Sequence, residues 1–152
     1  MSNLISILIP LYNEEAVCKQ LIARLDEVTQ KISTYSFEYV FVDDGSSDFS
    51  NETIFTLVKA RKTHLNIKYI YWPKINPARG DQSFFRAGLA RNLGAQYAEG
   101  VKLLFLDADM LVPENFIFTC LNELDSSDLI QFSRAHIQQS ESRKNPQFDQ
   151  VN

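Results

Sequence analysis

Residues 4–10 read Leu4-Ile-Ser-Ile-Leu-Ile-Pro10, a nearly continuous apolar run rich in isoleucine. A strand with one face in water alternates apolar and polar residues, whereas an unbroken run is the pattern of a parallel strand covered on both faces. No basic region precedes it and no small-residue cleavage site follows, so the run reads as a first strand rather than a signal peptide. Directly downstream Val17, Leu21, Leu25, Val28 and Ile32 recur every three or four residues, the spacing of a helix with one buried face. Asn13, Glu14 and Glu15 put a cap and negative charge where that helix begins.

The alternation then repeats. Phe37 to Val42 has the strand pattern and runs into Asp43, Asp44, Gly45, Ser46 and Ser47, a cluster of turn formers. Ile54, Leu57 and Val58 mark a shorter helix, and Ile67 to Trp72 reads as a third strand. A loop over residues 73–81, with Pro73, Pro77 and Gly80, precedes helical spacing at Phe85, Leu89 and Leu93 that extends toward Gly100. Val101 to Leu106 gives a fourth strand, and Pro113 opens a helix carrying Phe116, Ile117, Cys120, Leu121 and Leu124. Leu129 to Phe132 is read as a fifth strand. Strands alternating with helices predict an α/β domain with a mainly parallel sheet and helices on both faces, over residues 1–133. Residues 134–152 are polar and aperiodic, which reads as a tail or the start of a further, acceptor-side region.

The bulk numbers agree with one folded core. Of 152 residues, 45% are hydrophobic and 22% charged, with 5 glycines and 5 prolines, so the chain is not a disordered one. A net charge of −4 supplies no basic footprint for nucleic acid. Cys18 and Cys120 each fall inside a helical apolar pattern and read as buried, reduced thiols rather than a disulfide, which suits a cytoplasmic location. No apolar run reaches the roughly 18 residues of a spanning helix. Attachment at the inner face of a membrane would therefore need something other than a sequence-encoded span.

In an open parallel sheet ligands bind beyond the carboxyl ends of the strands. Three of the expected strands end there in polar or acidic residues: Tyr12, Asn13 and Glu14, then Asp43 and Asp44, then Asp107 and Asp109. On an extended chain, residues two apart point to one side, so Asp107 and Asp109 would aim two carboxylates at one ligand. Oxygen ligands select a hard cation such as Mg2+ or Mn2+, and two carboxylates leave positions for water and phosphate oxygens. One of Asp43 and Asp44 is expected to close an Asx turn with Gly45 at positive φ, leaving the other to face the crevice. Glu14 and Glu15 are explained most economically as charges on a helix N-terminus. Arg91, on a helix with Ala87, Gly88, Gly94 and Ala95, could reach a diphosphate, as could Arg79 and Arg86 from the preceding loop. His64 and His136 are isolated and read as surface histidines.

Together, Ser6-Ile-Leu-Ile-Pro-Leu-Tyr-Asn-Glu-Glu15, Val42-Asp-Asp-Gly-Ser-Ser-Asp48, Ala90-Arg-Asn-Leu-Gly94 and Leu104-Phe-Leu-Asp-Ala-Asp109 resemble the family-2 glycosyltransferases of the GT-A fold. The resemblance implies a Rossmann-like nucleotide-sugar-binding fold and a UDP- or GDP-linked sugar donor. The base would lie near Pro10, Tyr12, Glu14 and Asp43 or Asp44, with the ribose and an Mn2+ or Mg2+ ion near Asp107, Ala108 and Asp109. By position Asp109 corresponds to the metal ligand and Asp107 to the ribose or metal-water contact, with Arg91 near the diphosphate. It also implies inverting transfer of a hexosyl or N-acetylhexosaminyl group to a carbohydrate or lipid-linked acceptor. The acceptor-activating base of such enzymes comes later in the chain. After Ser133 this sequence holds Glu141 and Asp149 but no segment resembling the one that carries it, so the chain is read as the donor half of a longer enzyme. Two other readings remain. One is a noncatalytic donor-binding module. The other is a phosphoacceptor receiver domain, disfavoured because a strand and helix precede Asp43 and Asp44.

Overall fold

The computed structural model describes residues 3–60, 65–73 and 85–132. Its elements are β1 (Leu4–Leu11), α1 (Glu15–Thr29), β2 (Ser36–Asp43), α2 (Ser50–Lys59), β3 (Asn66–Tyr71), α3 (Ala87–Tyr97), β4 (Lys102–Phe105) and α4 (Phe116–Leu124). The four strands form one parallel sheet in the order β3-β2-β1-β4. The chain thus winds outward from β1 through β2 to β3, then returns past β1 to β4. Because parallel crossovers are right-handed, α1 and α2 fall on one face of the sheet and α3 on the other. Accordingly α1 packs beside α2, and α3 lies on β1 and β2.

Burial explains the unbroken apolar runs. Ile5, Ile7, Leu8, Ile9 and Leu11 of β1, and Tyr39 to Val42 of β2, are all buried, whichever way they point. On the α3 face Val40 and Val42 pack with Ala90, bordered by Ile70 and Leu93. On the opposite face the Tyr39 hydroxyl donates to Thr29 Oγ1 of α1 at 2.7 Å, and burial raises that phenol above its ordinary range. The edge strand β4 is different. Leu103 and Phe105, in register with Ser6 and Leu8, are 38% and 49% exposed.

Gly94 is where α3 comes closest to the sheet. A Cβ there would stand 2.9 Å from Leu8 Cδ2 and 3.2 Å from Val42 Cγ2, whereas one at Gly88 would meet nothing within 4 Å. Gly94→Ala should therefore destabilise by about 1–2 kcal/mol through overpacking. Gly88→Ala should stabilise by about 0.5–1 kcal/mol through helix propensity. Thermal melting of the pair checks the contrast.

At the amino ends of the strands sits a buried polar network. Glu38, the third residue of β2, is fully buried. Its carboxylate accepts from Ser6 Oγ at 2.5 Å and from the Glu99 amide at 2.6 Å, and pairs with Lys68 Nζ at 2.7 Å. Lys68 also pairs with Glu99 at 2.7 Å. Burial alone would raise the Glu38 carboxyl, but the Lys68, Ser6 and Glu99 donors outweigh it and hold the carboxyl below its usual range. A depressed folded pKa contributes stability that is present above the unfolded carboxyl value, about 4.3, and is lost as pH falls through the folded one. The melting temperature should drop below about pH 4, and Glu38→Gln should flatten that drop. Melts from pH 7 to pH 3 on both proteins test this.

By compactness the chain divides into Met1–Val112 and Pro113–Asn152. Within the second unit α4 buries Ile117, Cys120 and Leu121, and Phe116 meets Phe132 edge to face at 5.2 Å. The expected fifth strand is not formed. Residues 129–132 take no regular structure, and Leu129 is 87% exposed. A short apolar run becomes a strand only when a neighbouring strand receives its hydrogen bonds. Both cysteines are buried and free, as expected, and burial pushes Cys18 up to about 12 and Cys120 up to about 11. Among the described residues no helix is long and apolar enough to cross a membrane. The expected tail, residues 134–152, lies outside the described residues, as do Arg79, His64 and His136.

Candidate functional site at the switch between β1 and β4

The strand order reverses at β1, the point where an open α/β sheet parts at its carboxyl edge. Here β4 pairs with β1 through Leu8, and the Leu106 amide still donates to Leu8 O at 3.0 Å before the chain turns away. Pro10, which has no N–H to give, lies where β1 has only β2 at its side, so the missing donor leaves no gap in the sheet. Beyond it come Tyr12, Asn13 and Glu14.

That first loop is fixed by the second. Asn13 adopts a left-handed conformation, φ 56°, and its Oδ1 accepts from the Ser47 amide at 2.8 Å. The amides of Asn13, Glu14 and Glu15 donate to Ser46 Oγ, Ser50 Oγ and Asp48 Oδ2 at 2.9, 2.9 and 3.0 Å. So the cap of α1 comes from Asp48 and Ser50, not from Asn13 as the local pattern suggested. Asp48 also accepts from its own neighbour, the Ser50 amide, at 3.0 Å. A residue 33 positions away cannot be recognised as a cap from sequence. The only local trace is Asp48 standing two residues before Ser50, itself a turn signature.

Asp43 closes the expected Asx turn: its Oδ1 accepts from the Ser46 amide at 2.7 Å, and Gly45 sits at φ 79°. Its other oxygen accepts from the Tyr69 hydroxyl of β3. Asp44 is also fully buried, and its Oδ1 and Oδ2 accept from Arg86 Nε and the Arg86 amide, each at 2.7 Å. Arg86 NH2 adds an ion pair at 2.5 Å, and the guanidinium lies 4.6 Å from the centre of the Trp72 ring. Next to it Phe85 stacks on Tyr12, with ring centroids 6.0 Å apart and planes 18° from parallel. Phe85 was read as the first apolar residue of the following helix, but it precedes α3 and its ring goes to Tyr12 instead.

The Asp107 to Asp109 segment departs from the extended geometry the sequence suggested. It is a turn, with the Met110 amide donating to Asp107 O at 3.2 Å and Ala108 buried inside it. The two carboxylates therefore have different surroundings. Asp107 pairs with Arg91 of α3, whereas Asp109 is exposed and lies close enough to Glu14 for their charges to interact. Burial first, then the charges of Asp109 and Asp48, hold the Glu14 carboxyl above its ordinary range. The loop beyond is tied to α1 by Arg24 Nε, which donates to Val112 O at 2.7 Å. Among the described residues no three His, Cys, Asp or Glu side chains are grouped to enclose a metal ion. A hard cation shared between one or two carboxylates and a ligand's phosphate oxygens does not need such a group.

The architecture defines a doubly wound α/β domain with acidic loops at the carboxyl edge of its sheet. The chain matches the model of glycosyl transferase family 2 over residues 6–149, and it belongs to that family. Over 118 residues it is 30% identical to a validoxylamine A glucosyltransferase of Streptomyces hygroscopicus subsp. limoneus, covering 78% of this chain and 23% of that protein. The crystal structure of S. aureus TarS 1-349 is similar with a TM-score of 0.63 and 25% identity, over 95% of this chain and 40% of that one. The mannosyltransferase PcManGT from Pyrobaculum calidifontis, solved with GDP-Man and Mn2+, shares the fold with a TM-score of 0.61 and 19% identity, over 80% of this chain and 32% of that one. The fold is the Rossmann-like GT-A fold, and this chain spans less than half the length of each of these proteins.

Proposed function

We propose that this chain is the donor-binding part of a metal-dependent glycosyltransferase that moves a sugar from a UDP- or GDP-linked donor to the hydroxyl of a carbohydrate or lipid-linked acceptor, with inversion. The observation that carries the reading is the pairing of Arg91 of α3 with Asp107 in the turn after β4, at the carboxyl edge of the sheet where Asp109 stands exposed. Support for a nucleotide-sugar donor and a divalent cation comes from family membership and from the GDP-Man and Mn2+ bound by the mannosyltransferase.

The residues divide the work as follows. Asp109, exposed at the turn, and Asp107 beside it would hold Mn2+ or Mg2+ with hard oxygen donors. When bound, that ion supplies Lewis-acid stabilisation of charge on the departing diphosphate. Arg91 orients Asp107 and brings a second positive charge to the same corner. Tyr12 offers a ring face to the base, and Asp44 or Asp43 a carboxylate to a base N–H. The helix dipole does not serve the diphosphate here. The Glu15 amide at the start of α1 is already held by Asp48, and Glu14 and Asp48 add negative charge at that helix end. A pyrophosphate near it therefore needs a cation.

Thermal-shift measurements with a panel of nucleotide sugars, each with and without Mn2+, test this reading. A donor that binds the folded chain raises its melting temperature, and does so only with metal present. Binding without transfer to any acceptor would mark a noncatalytic donor-binding module. No stabilisation by any member of the panel would contradict the proposal.

A further inference from the structure

The two carboxylates proposed to meet the base are covered in the structure. Both Asp43 and Asp44 are fully buried, and all four of their oxygens have partners. The two acids are held differently. Asp43 is bound by the amide of its own turn and by Tyr69, whose ring is packed on Phe55 at 5.1 Å between centroids. Releasing it would undo the turn. Asp44 is pinned by its backbone, its amide donating to Leu11 O at 2.9 Å, so its carboxylate stays at the carboxyl edge of β1. Oδ2 is held by the Arg86 backbone amide, and what covers Oδ1 is the guanidinium at the end of the long Arg86 side chain.

The geometry points to Arg86 as a latch: its guanidinium, held between Asp44 and the Trp72 ring, closes Oδ1 of that carboxylate and must leave it before a nucleoside diphosphate can bind there. This rests on the donor site proposed above. A carboxylate with both oxygens engaged by a guanidinium and an amide has little accepting capacity left for a base N–H. The bound state is thus the one in which the side chain has swung away and freed Oδ1, while the Arg86 amide keeps Oδ2. Apparent affinity is reduced by the fraction of molecules in which the latch is closed. Arg86 NH2 has no hydrogen-bond partner beyond its ion pair with Asp44 and is shielded from water, so the closed position leaves donors unmet.

Trp72 is the single tryptophan of the chain, so its emission reports whether the guanidinium lies over it. The experiment titrates the full chain with UDP and, in parallel, with GDP, each with Mn2+, following Trp72 fluorescence and heat together. With the wild type, saturation should shift the emission. Arg86→Gln without ligand should already emit as the saturated wild type does, and should change little further on titration. Asp44→Asn keeps Arg86 but removes its counter-charge, and should move the unliganded emission in the same direction. It also provides the test if Arg86→Gln does not fold. Heat of binding with unchanged Trp72 emission would overturn the latch and leave the donor site standing, as would equal ligand-induced shifts in wild type and Arg86→Gln. No heat with either nucleotide would overturn both.

Discussion

Asp109→Asn should weaken metal-dependent binding of a nucleoside diphosphate by roughly 100-fold or more, while leaving the unliganded fold as stable as before. Outer-shell partners of a metal site are by themselves worth about 10- to 100-fold in metal affinity, and a carboxylate on the ion is worth more. The fold should not suffer because Asp109 is exposed on its turn, and surface substitutions typically stay within about 0.5 kcal/mol. Removing its charge also relieves Glu14, whose carboxyl it helps to hold high. Calorimetry in the presence of Mn2+, with a thermal melt of each unliganded protein as the control, separates the two effects. Unchanged affinity in the variant would remove Asp109 from the site.

The largest effect on stability is expected from Gly100→Ala, at the corner between α3 and β4. A Cβ there would stand 2.6 Å from the Ser6 amide nitrogen, 2.5 Å from Ser6 Oγ and 2.9 Å from the Ile5 carbonyl carbon. Two of these are backbone atoms of the central strand and cannot rotate aside. The same corner donates the Gly100 amide to Ser6 Oγ at 2.8 Å, which in turn donates to Glu38, so moving it also disturbs the buried carboxylate. Overpacking of this kind costs about 3 kcal/mol, at the upper end of its usual range. For a chain of this size that is a fall of about 6–12 °C in melting temperature. Gly94→Ala, which meets only side-chain ends at Leu8 and Val42, should cost less. A smaller fall for Gly100→Ala than for Gly94→Ala would contradict this ordering.

Much of this was legible in the residues. The unbroken runs at Leu4 and Phe37 imply strands buried on both faces, and β1 and β2 are buried on both. The turn formers at Asp43 to Ser46 imply an Asx turn with Gly45 at positive φ, which is how that loop is built. The failures share a cause: each concerned a group whose partner is remote in sequence. Asn13 has the chemistry of a helix cap, but Ser47 takes its side chain and Asp48 takes its place. Asp107 and Asp109 would share a side if the chain stayed extended, but a turn forms there that pairs one with Arg91 and leaves the other exposed. Leu129 to Phe132 has strand composition but takes no regular structure, and among the described residues no strand pairs with it. Glu38 was the overlooked signal. A charge within a doubly buried strand demands a partner, and its presence in Phe37-Glu-Tyr-Val40 foretold a network such as the one with Lys68 and Ser6.

The central claim is that carboxylates at the opening between β1 and β4 bind a nucleoside diphosphate through a divalent cation. Calorimetric titration of the chain with UDP and with GDP, in Mn2+ and then in a chelator, tests it most directly. The account predicts saturable binding of at least one of the two in Mn2+ and loss of that binding in the chelator. Equal binding under both conditions, or none with either nucleotide, would contradict it.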